Sequence, residues 1–434
     1  MRIAVWHNLP SGGAKRALYD QVKGLVARGH EVEAWCPPTA DGGYLPLSAV
    51  VREHVVSLAL TIPKDPVLSL FQKLRPLHWS VHSRLRAMDR HCEECARQIH
   101  AQGFDLLFAG CCMFFHTPQI ARFIEIPTVL YLQEPNRPFY ESSPELPWVA
   151  MAWKGRELLD LHFWQTALKR RLKLPGIRVQ AREERISAMA FDQILVNSFF
   201  SRESVLRAFG VDSKVCYLGV DTERFTWQNK KRENFTVCVA ALLPTKNIEF
   251  LIQSLAVIGA DRRPKLVLIS NMIDEAYLER VQSLASKSGV DFELKHRIAD
   301  AELIDLLNRA RMMLYAPRLE PFGYAPLEAN ACGLPVVAVA EGGVRETIQN
   351  RINGLLVEHE PLCMAQAIER LLVDDGLHQS LSQAAIQVAR LQWSLSTSLD
   401  RLEQRLKDQV HRSCPEVRSC EKQDDTSLVH PGRI

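Results

Sequence analysis

The sequence has no apolar run that could cross a membrane. Its longest uninterrupted uncharged apolar run, Leu106 to Phe115, has ten residues, whereas a spanning helix needs about 20. It has no large excess of one charge either: 53 Lys and Arg against 50 Asp and Glu leave a net +3 over 434 residues. No nucleic-acid partner is therefore expected, since such proteins concentrate positive charge. The first 212 residues carry +5 and the remainder −2, a bias that allows an N-terminal face to meet an acidic or membrane-bound partner. The eleven cysteines, an odd number at irregular intervals, make no disulfide framework. Reduced thiols in a cytosol are expected. Cys92 and Cys95 form one CxxC with no second pair to complete a zinc site, so no metal or redox use is expected of them. Met1 to Trp6 runs into His7, Asn8 and Pro10 instead of the roughly 7 to 15 residue apolar core of a secretory leader, and none is expected.

What is present is an ordinary globular composition, 47% hydrophobic and 24% charged, enough for two domains each with its own core. Ile3 to Trp6 reads as a buried strand and Ser11-Gly12-Gly13 as a turn. Ala14 to Arg28 reads as a helix, with Ala17, Leu18, Val22, Leu25 and Val26 at helical spacing. Glu31 to Trp35 starts the next strand. Strand, helix, strand implies a parallel sheet with a crossover helix, hence a doubly wound α/β domain. Leu106 to Ala109, Thr128 to Leu132 and Gln193 to Val196 continue it. A second cycle runs from Thr236 to Ala240 through helices 248–257, 275–287 and 301–309 and strands near 266–269, 312–316, 335–340 and 354–357. The halves join near Leu218 to Phe225. Ligands of open α/β sheets bind beyond the carboxyl ends of the strands, which puts the expected site at the loops that follow them.

The most informative loop is Glu320-Pro321-Phe322-Gly323-Tyr324-Ala325-Pro326-Leu327-Glu328, leading through Cys332, Gly333 and Pro335 into the strand Val336 to Ala340. A helix is expected to begin near Pro326, since proline suits a first helical position. Free N–H groups and a partial positive charge at such a start suit a diphosphate. A carboxylate one turn on can accept hydrogen bonds from sugar hydroxyls, as acidic residues do with ribose. Lys246 stands between a strand and a helix, where its ammonium could pair with a departing diphosphate. Gly12 and Gly13 let backbone approach a ligand. His116 follows one strand; Glu134 and Arg137 follow another and face the same end of the sheet, with a structural ion pair as one reading of them.

These strings resemble a family 4 glycosyltransferase of the two-domain GT-B architecture. The E-x7-E motif of Glu320 and Glu328 carries the resemblance, with Glu341-Gly342-Gly343-Val344-Arg345-Glu346, Asn353-Gly354, Asn197-Ser198 and Gly219-Val220-Asp221 in support. The resemblance implies an α/β fold of two Rossmann-like doubly wound domains facing each other across a cleft. The domains expected are an acceptor-side one over 1–215, a nucleotide-sugar one over 216–395, a helix over 396–412 that crosses back, and a disordered tail over 413–434. It further implies a retaining hexosyltransferase that moves sugar from a nucleoside diphosphate donor to a hydroxyl of a glycan or lipid-linked acceptor. In that frame Glu328 binds the ribose, and Glu320 lies near the transferred sugar. Phe322, Gly323, Tyr324 and Ala325 touch sugar and diphosphate through their amides, Lys246 pairs with the diphosphate, and Gly12 and Gly13 line the donor side. His116 would contact the sugar, and Glu134 and Arg137 would be candidates for acceptor recognition or acid–base help. No cofactor is expected, and no metal: the chain has no D-x-D triplet, and lysine and helix dipole could carry the leaving-group charge.

Two departures stand out, Ala241 where the family has an arginine five positions before its lysine, and Ser270-Asn271 in place of a glycine-rich turn. They keep open a degenerate member that binds a sugar nucleotide or a partner without turnover; a nucleotide-sugar epimerase on the same fold is the other alternative. Between Trp148 and Ala190 lie nine basic and four acidic residues, with Leu158, Leu161, Trp164, Leu168 and Leu172 in a stripe ending at Lys169, Arg170, Arg171 and Lys173. Stripes usually face a core, so this one is expected to pack on the domain. Peripheral contact with an anionic bilayer on the cytoplasmic face is the other reading.

Overall fold

The computed structural model describes residues 1–60, 77–141, 146–149 and 161–412, with the side chains of all of these except 77–80 and 162. The expected tail at 413–434, and residues 150–160 of the basic stretch with Leu158, lie outside the described residues.

The chain forms two compact units. The first comprises 1–196, 202–216 and the described residues from Arg401 on; the second comprises 197–201 and 217–400. In the first unit the buried run at the start becomes β1 (Arg2–Asn8), followed by α1 (Gly13–Ala27), β2 (Glu31–Cys36), β3 (Arg52–Val55), α2 (Leu77–His100) and β4 (Leu106–Cys112). Then come β5 (Thr128–Tyr131), α3 (Leu161–Ala190), β6 (Gln193–Val196), α4 (Phe199–Phe209) and β7 (Lys214–Val215). The strands are all parallel, in the order β3-β2-β1-β4-β5-β6-β7. α1 lays Ala17, Leu18, Val22 and Leu25 on the sheet, the periodicity of an amphipathic helix. Cys92 and Cys95 are fully buried on α2 in the same core as Trp6, Trp35 and Phe115, so this CxxC is packing. Among the described residues the cysteines are free thiols.

The second unit contains β8 (Phe235–Val239), α5 (Ile248–Val257), β9 (Lys265–Ser270), α6 (Glu275–Lys287), β10 (Phe292–His296), α7 (Asp300–Arg309) and β11 (Met312–Tyr315). α8 (Tyr324–Ala331), β12 (Val336–Val339), β13 (Gly354–Val357), α9 (Pro361–Val373) and α10 (Asp375–Gln392) complete it. Its parallel order is β10-β9-β8-β11-β12-β13. In both units the first strand has the second on one side and the fourth on the other. That reversal is the topological switch point of a Rossmann-like sheet, where a crevice opens at the strand carboxyl ends. The last helix, α11 (Leu395–Arg412), begins in the second unit, and its residues from Arg401 group with the first, where Glu403 pairs with Arg28 and His30.

The helix α3 departs from expectation. Leu161 and Trp164 are 73% and 52% exposed, and Leu168 and Leu172 are exposed as well. The stripe therefore does not pack on the domain. The 30-residue helix is about 45 Å long at 1.5 Å per residue. Buried residues of its second half include Glu184, Ser187 and Ala188, whereas the described apolar residues of the stripe lie in its first half. Among the described residues no helix is long and apolar enough to cross a membrane.

Candidate active site

In the second unit the loops after β8 and β11 flank the switch point and carry Lys246 and Glu320. Lys246 ends a short 3-10 turn, Pro244–Lys246, and Asn247 in the left-handed region (φ 58°) redirects the chain into α5. The Tyr277 hydroxyl accepts from the Ile248 amide at 3.0 Å, satisfying a free N–H of that helix start. Lys246 Nζ donates to Glu320 Oε2 at 2.6 Å, with both side chains partly exposed. Backbone pairing brings the two loops together as well, Arg318 N to Thr245 O at 3.0 Å.

The Glu320 loop is pinned from three directions. Gly343 N donates to Glu320 O at 2.7 Å, and a Cβ on Gly343 would lie 2.0 Å from Pro321 O, one on Gly342 2.2 Å from Glu320 O. Only glycine permits that approach. Ser198 Oγ donates to Pro321 O at 2.6 Å. Glu341 Oε2 accepts from Arg318 Nε at 3.0 Å. Gly323 (φ 93°) then caps α8, which begins at Tyr324, two residues before the expected start. Pro326 is its third residue, still in the turn whose N–H groups have no helical partner. Phe322 is buried against Tyr324 and Trp393, Ala325 is buried, and Glu328, on the inward side of α8, is 4% exposed. Asn330 and Asn353 bond to each other at 2.8 Å beneath this helix, so the Asn353-Gly354 string is a structural lock.

In the first unit Gly12 (φ 142°) precedes α1 and Gly13 begins it. A Cβ on Gly12 would touch nothing within 4 Å, so conformation rather than crowding favours glycine there. His116 lies beyond β4. Burial pushes its imidazole down to about 4, so it is a neutral ring near neutral pH. Glu134 and Arg137 form an ion pair with each other, and Arg137 also lies 3.8 Å from Glu141. Next to this loop system, His7, Cys36 and Glu53 bring their polar atoms within 4.8 Å of one another. His7 Nε2 bonds Glu53 at 3.0 Å, and the buried ammonium of Lys15 compensates that carboxylate.

The structure thus brings Lys246 to Glu320 and Glu134 to Arg137, and it keeps the first-unit and second-unit candidates in separate units. Sequence reasoning gave no role to Ser198, to Glu346 or to Glu184. Glu346 accepts from the amides of Phe199 and Phe200 and from the Tyr217 hydroxyl. Glu184 had one visible signal, its place with Gln180 and Ser187 at helical spacing among residues that face inward.

Such paired sheets, with candidate residues at the strand ends beside each switch point, define a protein of two Rossmann-like units. The sequence model described as Glycosyltransferase Family 4 matches residues 11–224, and that described as Glycosyl transferases group 1 matches residues 219–388. The chain is 28% identical over 244 residues to a D-inositol 3-phosphate glycosyltransferase of Streptomyces bingchenggensis, covering 50% of this chain and 53% of that one. It is 28% identical over 233 residues to a GDP-mannose-dependent alpha-(1-6)-phosphatidylinositol monomannoside mannosyltransferase of Mycobacterium tuberculosis, covering 48% and 59%. Matches to the curated relatives span from 21% to 59% of those proteins' lengths. Among solved structures, HepE from Anabaena in complex with UDP superposes with TM-score 0.68 at 19% identity, over 94% of this chain and 100% of that one. Sucrose-phosphate synthase from Thermosynechococcus elongatus gives 0.70 at 17%, over 95% and 100%. The chain belongs to glycosyltransferase family 4, and its fold is GT-B.

Proposed function

We propose that the protein is a retaining glycosyltransferase that moves a hexosyl group from a nucleoside diphosphate sugar to a hydroxyl of a glycan or lipid-linked acceptor. The observation that carries this reading is the Lys246–Glu320 pair at the switch point of the second unit, one residue before the turn that feeds α8. An ammonium and a helix start together stabilise a diphosphate as its charge grows. Glu328 grips the ribose from the inward side of α8, and the amides from Phe322 to Ala325 contact sugar and diphosphate. The relatives' names and the UDP bound in HepE support a nucleotide-sugar donor.

In the proposed step the bond from the anomeric carbon to the β-phosphate oxygen breaks while the acceptor oxygen attacks the same face. The acceptor proton passes to the departing phosphate oxygen, and Lys246 offsets the resulting charge. No metal enters this step. We assign Gly12 and Gly13 to the donor, His116 as a neutral hydrogen-bonding ring to the transferred sugar, and Glu134 and Arg137 to the acceptor. The exposed Leu161, Trp164, Leu168 and Leu172, bordered by Lys169, Arg170, Arg171 and Lys173, suit an anionic bilayer that presents a lipid-linked acceptor at its cytoplasmic face.

The test is incubation with UDP-, GDP- and ADP-sugars and a panel of acceptors, with the product anomer read by NMR. Retained configuration is expected; an inverted product would refute the mechanism, and saturable donor binding without transfer or hydrolysis would favour the non-catalytic reading that Ala241 motivates.

A further inference from the structure

The inner stripe of α3 carries a carboxyl group that a purely packing helix has no use for. Glu184 is fully buried. Its Oε1 accepts from the His116 amide at 3.3 Å and from Gln180 Nε2 at 2.9 Å. The same Gln180 nitrogen donates to Phe114 O at 2.9 Å, and the Thr117 hydroxyl donates to Glu184 O at 2.6 Å. The side chain of Asn136, between Glu134 and Arg137, lies close enough to the carboxyl to favour its charged form. One residue and its neighbour one turn earlier therefore hold the loop after β4 at three points and reach the loop after β5. Next door, Arg122 grips Glu183 through both side chain and carbonyl, which fixes the rotation of α3 about its axis.

We propose that Glu184 is a positioning residue: it sets the loops after β4 and β5 so that His116 is presented to the transferred sugar and the Glu134–Arg137 pair to the acceptor. The proposal rests on assigning those loops to the sugar and the acceptor. An apolar residue would fill this site without the cost of burying a carboxyl, so stability alone does not account for Glu184. Its Oε2, like His116 Nδ1 and the Tyr140 hydroxyl, has no hydrogen-bond partner, which is unusual for buried polar groups in a region that serves packing only. The titratable groups facing it are the Tyr140 hydroxyl and the thiols of Cys111 and Cys112, whereas His116 meets it through its backbone amide. Burial raises the carboxyl to about 7, so the neutral amide of glutamine is a close substitute near neutral pH.

The experiment compares Glu184→Gln and Glu184→Ala in the full chain by amide hydrogen exchange, thermal melting, nucleoside diphosphate affinity, and acceptor KM and kcat. The alanine variant is expected to speed exchange about tenfold in residues 113–117 and 133–140, and to raise acceptor KM about as much while affinity for the nucleoside diphosphate stays unchanged. The glutamine variant is expected to restore both. Unchanged exchange in these loops would overturn the proposal, and so would faster exchange throughout the first unit with a lowered melting temperature, the mark of a merely structural role. If the parent protein transfers no sugar, the acceptor reading fails while the exchange pattern still decides whether Glu184 sets the loops.

Discussion

Lys246 Nζ and Glu320 Oε2 lie 2.6 Å apart, joined across the two strand ends that flank the switch point of the second sheet. On the proposed function a bound diphosphate would compete with Glu320 for the same ammonium.

On the proposed mechanism, replacing Lys246 by alanine removes the cation that meets the growing charge of the leaving group. Since that charge peaks as the sugar departs, turnover should fall by more than donor affinity does. Steady-state kinetics alongside calorimetric titration with the nucleoside diphosphate will show the split; equal losses in both would mean that Lys246 binds the ground state only.

Glu328→Gln is expected to weaken donor binding by about 1.5 to 3 kcal/mol, the range for a hydrogen bond to a charged group, with the fold retained. The residue is buried on α8, so circular dichroism and melting must accompany the titration. A folded variant with full donor affinity would remove Glu328 from the ribose.

Gly343→Ala sets a methyl 2.0 Å from Pro321 O. The Glu320 loop has to shift, and loss of donor affinity is expected. Destabilisation by about 1 to 3 kcal/mol is expected with it, the usual cost of forcing extra atoms into a packed site. Urea unfolding and donor titration measure the two effects.

Leu168→Asp should leave the melting temperature within the small range of surface substitutions, because Leu168 is exposed. The same change should reduce binding to anionic vesicles. Replacing Lys169, Arg170, Arg171 and Lys173 by serine should abolish salt-sensitive vesicle binding, at about 1 kcal/mol per cation. Flotation with vesicles of anionic and of neutral lipid checks both, and a parent protein that binds neither would rule out the bilayer.

The pH dependence of stability should carry the signature of Glu184. Its folded value, about 7, lies above the ordinary carboxyl value of 4.5, so the native state keeps a proton that the unfolded chain gives up. Its contribution is full below about 4.5 and is lost as pH rises toward 7, on the order of 3 kcal/mol. His116, lowered from 6.5 to about 4, acts in the opposite direction and loses stability as pH falls through that window. Urea titrations of the parent and Glu184→Gln across pH 4 to 8 isolate the first effect as their difference, which should grow toward alkaline pH.

By itself the sequence determined the alternation of strand and helix, because hydrophobic periodicity and glycine turns are local signals. The spans 248–257, 275–287, 193–196 and 354–357 read from it coincide with α5, α6, β6 and β13. It also determined the E-x7-E loop and, through its motifs, the family. Only the tertiary structure decided which partners those residues take. The bond from Lys246 to Glu320 spans 74 positions, that from Ser198 to Pro321 123, and that from His116 to Glu184 68. No periodicity encodes such pairs; they follow from the order in which parallel strands are laid side by side. The same reason explains the leucine stripe of α3. Its spacing says that one face is apolar, but whether that face meets a core depends on how far the helix extends along the sheet, and here Leu161, Trp164, Leu168 and Leu172 remain in solvent while Glu184, sixteen residues further along than Leu168, is sealed inside.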